Sequence, residues 1–544
     1  MVESCKTIVV TEKNQALVDR MSSTKSIVSE AANCACEAAK EPMRLSLSEV
    51  KRMCPFFSKA SSAIDDNVAK ELAPHCPVLS HVQRPTMIYN DTKSPAPFKG
   101  KETIFVNPVK EEDFYEAKFA RKIADLHADG RYRYFANLQR VCGEFPNAFY
   151  KPEGSKATKK VRIFCSNDYL GMGQHPDVLE SCHNALDTAG AGAGGTRNIS
   201  GTTRFHVELE QELASLHKKE KSLVFSSCFV ANDATLTVMG QLLPGLVMIS
   251  DQMNHASMID GIRHSGCQKV IYKHNDLEHL ESVLKSLPLD TPKLVIFESV
   301  YSMSGTISDI RATCELARKY NALTFLDEVH AVGMYGEHGA GVAERDNVLD
   351  MVDIITGTLG KAYGVGGGYI AGSSNFVDCV RSYASGFIFT TAIAPVVAAG
   401  ALAAVKHLKA SGVERAMQQK RVKQLKALVA SRGLPLMDNP SHIVPVLVGD
   451  PVKCRQLTDA LLQTHGIYLQ PINFPTVSRG TERVRITPGP LHTEEDLIAL
   501  VDALEYEWKR LDLAFVKGTS DSKRSVGVQR RSVPTKQPEI TVSA

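Results

Sequence analysis

A lysine enclosed by glycines has the clearest chemical potential in this chain. It stands in Thr356-Gly-Thr-Leu-Gly-Lys361-Ala-Tyr-Gly-Val-Gly-Gly-Gly368, directly after the apolar pair Ile354-Ile355. Glycines let a backbone close on a ligand and take positive φ, and a lysine crowded against an aldehyde can form a Schiff base. Thr358 adds a hydroxyl suited to a phosphate. A solvated lysine in a glycine-rich loop would read the same way, so the neighbouring motifs decide.

Leu323-Thr-Phe-Leu-Asp327-Glu-Val-His330 puts a carboxylate at the end of a buried strand, where ligands of open α/β sheets bind. There it can pair with a protonated pyridine nitrogen and keep an aromatic ring an electron sink; a helix-capping Asp is the bland alternative. His330 can reach a neighbouring oxygen. In Asp251-Gln-Met-Asn-His255-Ala-Ser257 a flat imidazole could stack on a ring or serve the core alone. Ser226-Ser-Cys228-Phe229, after the apolar Leu223-Val-Phe225, would open a helix whose first N–H groups face an anion. Ala189-Gly-Ala-Gly-Ala-Gly-Gly-Thr196-Arg-Asn198-Ile-Ser-Gly201 superficially suggests a dinucleotide loop. No apolar strand precedes it and the glycine spacing is wrong, which argues against a nicotinamide enzyme.

These residues need a frame. Leu223–Phe225, Leu246–Ile249, Lys269–Tyr272, Leu294–Phe297, Leu323–Leu326 and Ile354-Ile355 are short, β-branched runs bounded by turn residues, as buried parallel strands are. The helical stretches between them imply βαβ crossovers and an α/β fold with a mostly parallel sheet between helical layers. Glu112–Gln139 reads as a helix plus an aromatic turn at Arg131-Tyr-Arg-Tyr-Phe135, and Pro395–Lys409 as an Ala/Val-rich helix. The expected divisions are a leader and linker over 1–100, an N-terminal helix and strand segment over 101–165, a large ligand-binding domain over 166–410, a small C-terminal α+β domain over 411–513 and a basic disordered tail over 514–544.

Composition narrows the class. Of 544 residues 43% are hydrophobic and 23% charged, and the formal net charge is +3, ordinary for a globular protein. Residues 515–544 hold six Lys/Arg against two Asp/Glu, so the basic excess lies in the tail and no nucleic-acid face is expected. Thirteen cysteines at irregular spacings include no paired C-x-x-C set, so reduced thiols and no metal are expected. No apolar run approaches the roughly 18 residues of a membrane span.

In chain order, Asn167-Asp-Tyr-Leu-Gly-Met-Gly, Gly194-Gly-Thr-Arg, His255, Glu298-Ser-Val-Tyr-Ser302-Met, Asp327-Glu-Val-His330 and the Lys361 loop resemble the α-oxoamine synthases, pyridoxal-phosphate (PLP) enzymes of fold type I. The resemblance spans roughly residues 112–513. It extends to Arg131-Tyr-Arg133 and Arg485-Ile-Thr-Pro-Gly-Pro490, which favours the branch that condenses glycine with succinyl-CoA at the head of haem (porphyrin) synthesis. Glycine C-acetyltransferases are the nearest siblings, and a non-catalytic scaffold on the same fold is the rival of another class.

The resemblance implies the roles. Lys361 is the Schiff-base lysine and Asp327 the pyridinium partner. Ser302 and His330 lie at the ring's phenolic oxygen, and His255 stacks on the ring and assists carbonyl steps. The Cys228 and Phe229 amides and Thr358 hold the phosphate. Thr390 and Thr391 reach the phosphate of a neighbouring subunit, which implies a homodimer. Arg485 forks onto the glycine carboxylate, in the neighbourhood of Asn167. Arg133 takes the distal carboxylate of the acyl-CoA, with Thr196, Asn198 and Thr476 nearby, while Ser250 and Lys269 meet substrate or the CoA arm. Cys54-Pro and Cys76-Pro resemble haem-regulatory pairs, in which a thiolate ligates haem iron. The family also carries mitochondrial leaders, which favours the matrix although Glu3, Glu12, Asp19 and Glu30 are unusual in a transit peptide.

Overall fold

A computed structural model describes residues 111–128 and 131–516. The leader with Cys54 and Cys76, residues 101–110 and the tail from 517 onward lie outside the described residues.

The first described helix, Glu111–Ala128, stops well short of Gln139. Residues 131–136 are irregular, and Asn137–Arg140 is a strand, β1. It pairs antiparallel with β2, Asn147–Lys151, which pairs with β3, Lys159–Ile163. The expected helix and the irregular aromatic segment after it are both present, and only residues 137–139, expected to close that turn, are strand instead. Leu138 and Gln139 follow a run of aromatic and basic residues that carries no helical stripe, and pairing with β2 holds them extended.

The strands read from sequence are present, each longer by one to three residues. They are β4 Lys221–Phe225, β5 Val247–Asp251, β6 Gln268–Tyr272, β7 Lys293–Glu298, β8 Leu323–Asp327 and β9 Ile354–Thr358. A seventh, β10 Gly368–Gly372, was hidden in the glycine run. The order is β4-β10-β9-β8-β7-β5-β6, with only β10 antiparallel to its neighbours. Every residue of β7 is buried, because helices cover both faces. Val295 and Phe297 pack with Leu326, Ile355, Leu209 and Leu402, whereas Leu294 and Ile296 pack with Phe325, Leu236 and Met258. That two-sided burial is why the strand has no polar alternation.

Helix starts follow their caps. Ser227 Oγ accepts from Val230 N at 3.2 Å to open Cys228–Leu242, and Asp309 accepts from Ala312 N at 3.0 Å to open Ile310–Lys319. The helix Pro395–Ala410 bends by 76° into Val413–Ser431. No single described helix is long and apolar enough to cross a membrane.

After that bend come β11 Val444–Leu447, helix Pro451–His465, β12 Ile467–Tyr468, β13 Pro471–Ile472, β14 Arg483–Ile486 and helix Glu494–Arg510. β11, β14 and β13 form one small sheet, whereas β12 joins β3 in parallel. The N-terminal strands therefore share a sheet with the C-terminal part of the chain. Phe164 sits in the same core as Val422, Leu457, Val484 and Trp508.

The Lys361 turn is fixed from outside the sheet. Gly364 has φ +71°, and a Cβ there would lie 2.1 Å from Gly173 N. Both the backbone conformation and the close approach exclude a side chain. Gly364→Ala should therefore lower stability by about 2 kcal/mol or more, read as a lower denaturant midpoint; an unchanged midpoint would mean that the two turns do not pack this way.

Candidate active site

The carboxyl ends of β4, β7, β8 and β9 converge on a cavity of about 210 Å³. Cys228, Phe229, His255, Glu298, Asp327, His330, Thr358 and Lys361 are among its lining residues. Register explains the convergence. Glu298 is paired with Asp327, and Asp327 with Thr356, across three adjacent parallel strands. Side chains at one level of a parallel sheet end thus face one crevice.

Lys361 Nζ lies 3.0 Å from His330 Nε2. Burial pushes its pKa down to about 8, against the opposing pull of Asp327. Burial, and then Lys361 itself, hold the His330 pKa well below its ordinary value, so the ring is neutral. A neutral imidazole carries one N–H. The lysine ammonium donates to Nε2, and Nδ1–H is left to donate to Tyr169 Oη at 2.8 Å. Tyr169 Oη makes a long 3.5 Å contact with Asn167 Oδ1, which accepts from Arg485 Nη2 at 2.9 Å. Five side chains thus run in one polar chain from Lys361 to Arg485. Arg485 Nη1 also donates to the Ser302 carbonyl at 3.2 Å. Among the described residues no carboxylate pairs with Arg485.

Asp327 is held rigidly. Its Oδ2 accepts from Asn232 Nδ2 at 2.8 Å and its Oδ1 from Val329 N at 2.8 Å. Burial raises its pKa, and those two hydrogen bonds resist the rise. Neighbouring Glu298 is raised well above the carboxylate range by burial and then by Asp327, and keeps its proton. His255 caps the helix Ala256–Ser265. Its Nδ1 lies 2.8 Å from Ser257 Oγ, and its ring stands edge-on to Phe229 at 6.4 Å. Burial lowers the His255 pKa, so the ring is neutral in the ordinary pH range. Cys228 and Phe229 are the first residues of the helix Cys228–Leu242, whose opening N–H groups have no intrahelical acceptor. Thr358 Oγ1 accepts from Gly360 N at 3.2 Å at the mouth of the Lys361 turn.

A second, larger cavity of about 640 Å³ is lined by residues of the segments 131–136, 451–456 and 468–476, among them Arg133, Arg455, Tyr468 and Thr476. Arg133 Nη2 donates to Thr476 Oγ1 at 3.2 Å. Thr196 and Asn198 line neither cavity. They bond one another at 2.8 Å, and Thr196 bridges to Thr391. Thr390 and Thr391 also stay off both linings, as does Ser302, which meets Arg485 through its carbonyl. Ser250 is buried on β5, between β7 and β6, where its Oγ accepts from Asn254 Nδ2 at 2.9 Å, and Lys269 is exposed on edge strand β6. Tyr169 and Asn232 were not singled out from the sequence. Tyr169 lay inside a quoted motif. Asn232, one turn into a helix, has nothing in its neighbours to mark it.

The donor set fits pyridoxal phosphate. A buried amine of lowered pKa, a buried carboxylate fixed by two donors, a flanking imidazole and an anion-ready helix start line one crevice. The amine must be uncharged to attack an aldehyde. Capture of pyridoxal phosphate by the cofactor-free protein should therefore quicken with rising pH and level off above about 8, in stopped-flow absorbance. A rate still climbing toward the pKa of free lysine would contradict the buried, lowered amine.

The aminotransferase class I and II family model matches residues 159–504. Among curated proteins, 5-aminolevulinate synthase 1 of Cereibacter sphaeroides is 57% identical over 389 residues, covering 71% of this chain and 95% of the relative. The mitochondrial 5-aminolevulinate synthase of Yarrowia lipolytica is 55% identical, with 74% of each chain covered. Among solved structures, serine palmitoyltransferase of Sphingomonas wittichii superposes with a TM-score of 0.67 at 27% identity, over 74% of this chain and 99% of its own. The S. paucimobilis enzyme, solved with a PLP–myriocin adduct, gives 0.67 at 26% over 73% and 98%. The fold is fold type I, the cofactor is pyridoxal phosphate, and the chain belongs to the 5-aminolevulinate synthase family.

Proposed function

We propose that this protein condenses glycine with succinyl-CoA to 5-aminolevulinate, CoA and CO2, the entry step of haem synthesis. The observation that carries the reading is the polar chain linking Lys361 to Arg485, a cation that no carboxylate pairs with among the described residues. It supports a lysine and an amino-acid carboxylate site set in one geometry. Family membership at above 50% identity supports the substrate pair.

Bound pyridoxal phosphate supplies the electron sink for negative charge on the glycine α-carbon. The chain's own groups do the rest. Arg485 offers two parallel N–H groups to the glycine carboxylate, a geometry that lysine lacks. Lys361 takes the α-proton and later returns one; proximity and its lowered pKa suit it to both. His330 and Tyr169 keep that amine oriented. Asp327 would pair with the ring nitrogen, and the Cys228 and Phe229 amides with Thr358 would hold the phosphate. His255 has one nitrogen committed to Ser257, leaving Nε2 for the carbonyl oxygen of the acyl group. The new C–C bond joins the α-carbon to the succinyl carbonyl carbon as the C–S bond breaks, and the glycine carboxyl group departs as CO2.

Arg133 and Thr476, together on the larger cavity, suit the distal carboxylate of succinyl-CoA. An acetyl group would leave that cation unpaired. A homodimer is part of the same proposal. Thr390 and Thr391 lie off the cavity of their own chain, near Phe389 and Ile199, which are 81% and 78% exposed. Thr196 and Asn198, on the same surface, would then serve a neighbour's acyl site. Fungal relatives named mitochondrial support a matrix location. Haem feedback through Cys54 and Cys76 rests on their Cys-Pro sequence alone.

With glycine present, purified protein should release CoA far faster from succinyl-CoA than from acetyl-CoA. Arg133→Leu should raise KM for succinyl-CoA at least tenfold, a loss of about 1.4 kcal/mol, with KM for glycine little changed. Equal use of both thioesters would favour a glycine C-acetyltransferase instead.

A further inference from the structure

Away from the catalytic cavity, a helix start and a helix–helix bend more than 200 residues further along the chain bring metal-ligating side chains to one point. His175 caps the helix Pro176–Ala189, His407 lies in the last turn of Pro395–Ala410, and Glu414 lies in the first turn of Val413–Ser431. One ligand atom from each lies within 4.8 Å of the others. His407 Nε2 is 3.0 Å from Glu414 Oε1, and the two imidazole rings are 4.1 Å apart between centroids. The three side chains are 24%, 19% and 18% exposed, sheltered yet reachable by an ion.

The surroundings ask for a positive charge at this point. His407 Nδ1 contacts Asp177 Oδ2 at 3.0 Å while Nε2 faces Glu414, so one ring meets two carboxylates. Among the described residues, neither Asp177 nor Glu414 pairs with a lysine or arginine. A neutral imidazole has only one N–H and leaves one contact acceptor to acceptor. Either a second proton or a metal ion on Nε2 resolves it. With Nδ1–H given to Asp177, the ring is locked in the tautomer that metal-bound histidines show when a carboxylate stands behind them. Ser411 Oγ donates to Glu414 Oε2 at 3.0 Å and orients that ligand too. His175 Nδ1 accepts from Asp177 N at 3.3 Å, and one nitrogen of its ring lies within reach of the other two ligand atoms.

We propose that His175, His407 and Glu414 form a binding site for a divalent transition-metal ion of the zinc or cobalt class, with Asp177 as the positioning residue behind His407. Two imidazoles and one carboxylate favour such ions over calcium or magnesium, which prefer all-oxygen shells. Three protein ligands leave a coordination position to water. The ion would pin the start of one helix to the 76° bend between two others, so it should stabilise the fold by mass action.

The test uses the full, cofactor-loaded chain titrated with cobalt(II) chloride, followed by visible absorption and calorimetry. One ion per chain is expected, with ligand-field bands and no thiolate charge-transfer band, together with a metal-dependent rise in melting temperature. His407→Gln and Glu414→Gln should each weaken binding at least tenfold, and Asp177→Asn about tenfold. His338→Gln removes a comparable exposed contact, His338 Nδ1 to Glu344 Oε1 at 2.7 Å, and should leave binding unchanged. Melting and cofactor absorption in chelator identify any variant that fails to fold; His175→Asn, at a helix cap, gives a second route to the same answer. Absence of cobalt binding, or stoichiometric binding that survives both ligand substitutions, would overturn the proposal.

Discussion

Everything in this molecule depends on an amine buried where a charge is costly. Lys361 sits at the carboxyl ends of parallel strands, desolvated enough that its pKa falls to about 8 although Asp327 pulls the other way. A salt-bridged lysine would stay protonated and inert. Here the direct contact is a neutral imidazole at 3.0 Å, which orients the amine without trapping its charge. Asp327, meanwhile, is satisfied by Asn232 and the Val329 amide, and so keeps a fixed place without neutralising the lysine by contact. Glu298 beside it holds a proton, which limits the negative charge that the crevice must carry.

The fold supplies this arrangement through register. Glu298, Asp327 and Thr356 are brought level by three parallel strands. The helix start at Cys228 and the Lys361 turn are brought together because β10 runs back between β4 and β9. β14 carries Arg485 on the small sheet, whose hydrogen bonds to Asn167 and the Ser302 carbonyl tie it to the rest of the site. Arg485 is therefore placed by a different sheet from the one that places the lysine. Tyr169 and Asn167 span the gap.

Much of this was legible in the sequence, and the exceptions have physical reasons. Unbroken apolar runs such as Leu294–Phe297 announced strands buried on both faces. Motifs in chain order announced Lys361, Asp327, His330 and His255, which now line one cavity. β10 was missed because Gly368 and Gly372 bound only three side chains, and glycine reads as loop. β1 was missed because a half-exposed strand after a helix has too little alternation to declare itself. Asn232 could not be found because a polar residue within a helix reveals nothing of the strand end that it will meet. Thr390 and Thr391 were assigned by likeness alone, and a single chain leaves them away from the cavity. The cluster of His175, His407 and Glu414 spans some 240 positions, and no spacing rule reaches that far.

The most direct test of the central claim is chemical. Holoprotein reduced with borohydride, digested and examined by peptide mass spectrometry should carry the mass of reduced pyridoxal phosphate on Lys361, with loss of activity in proportion. Fully active protein whose added mass lies on another lysine, or on none, would contradict the account.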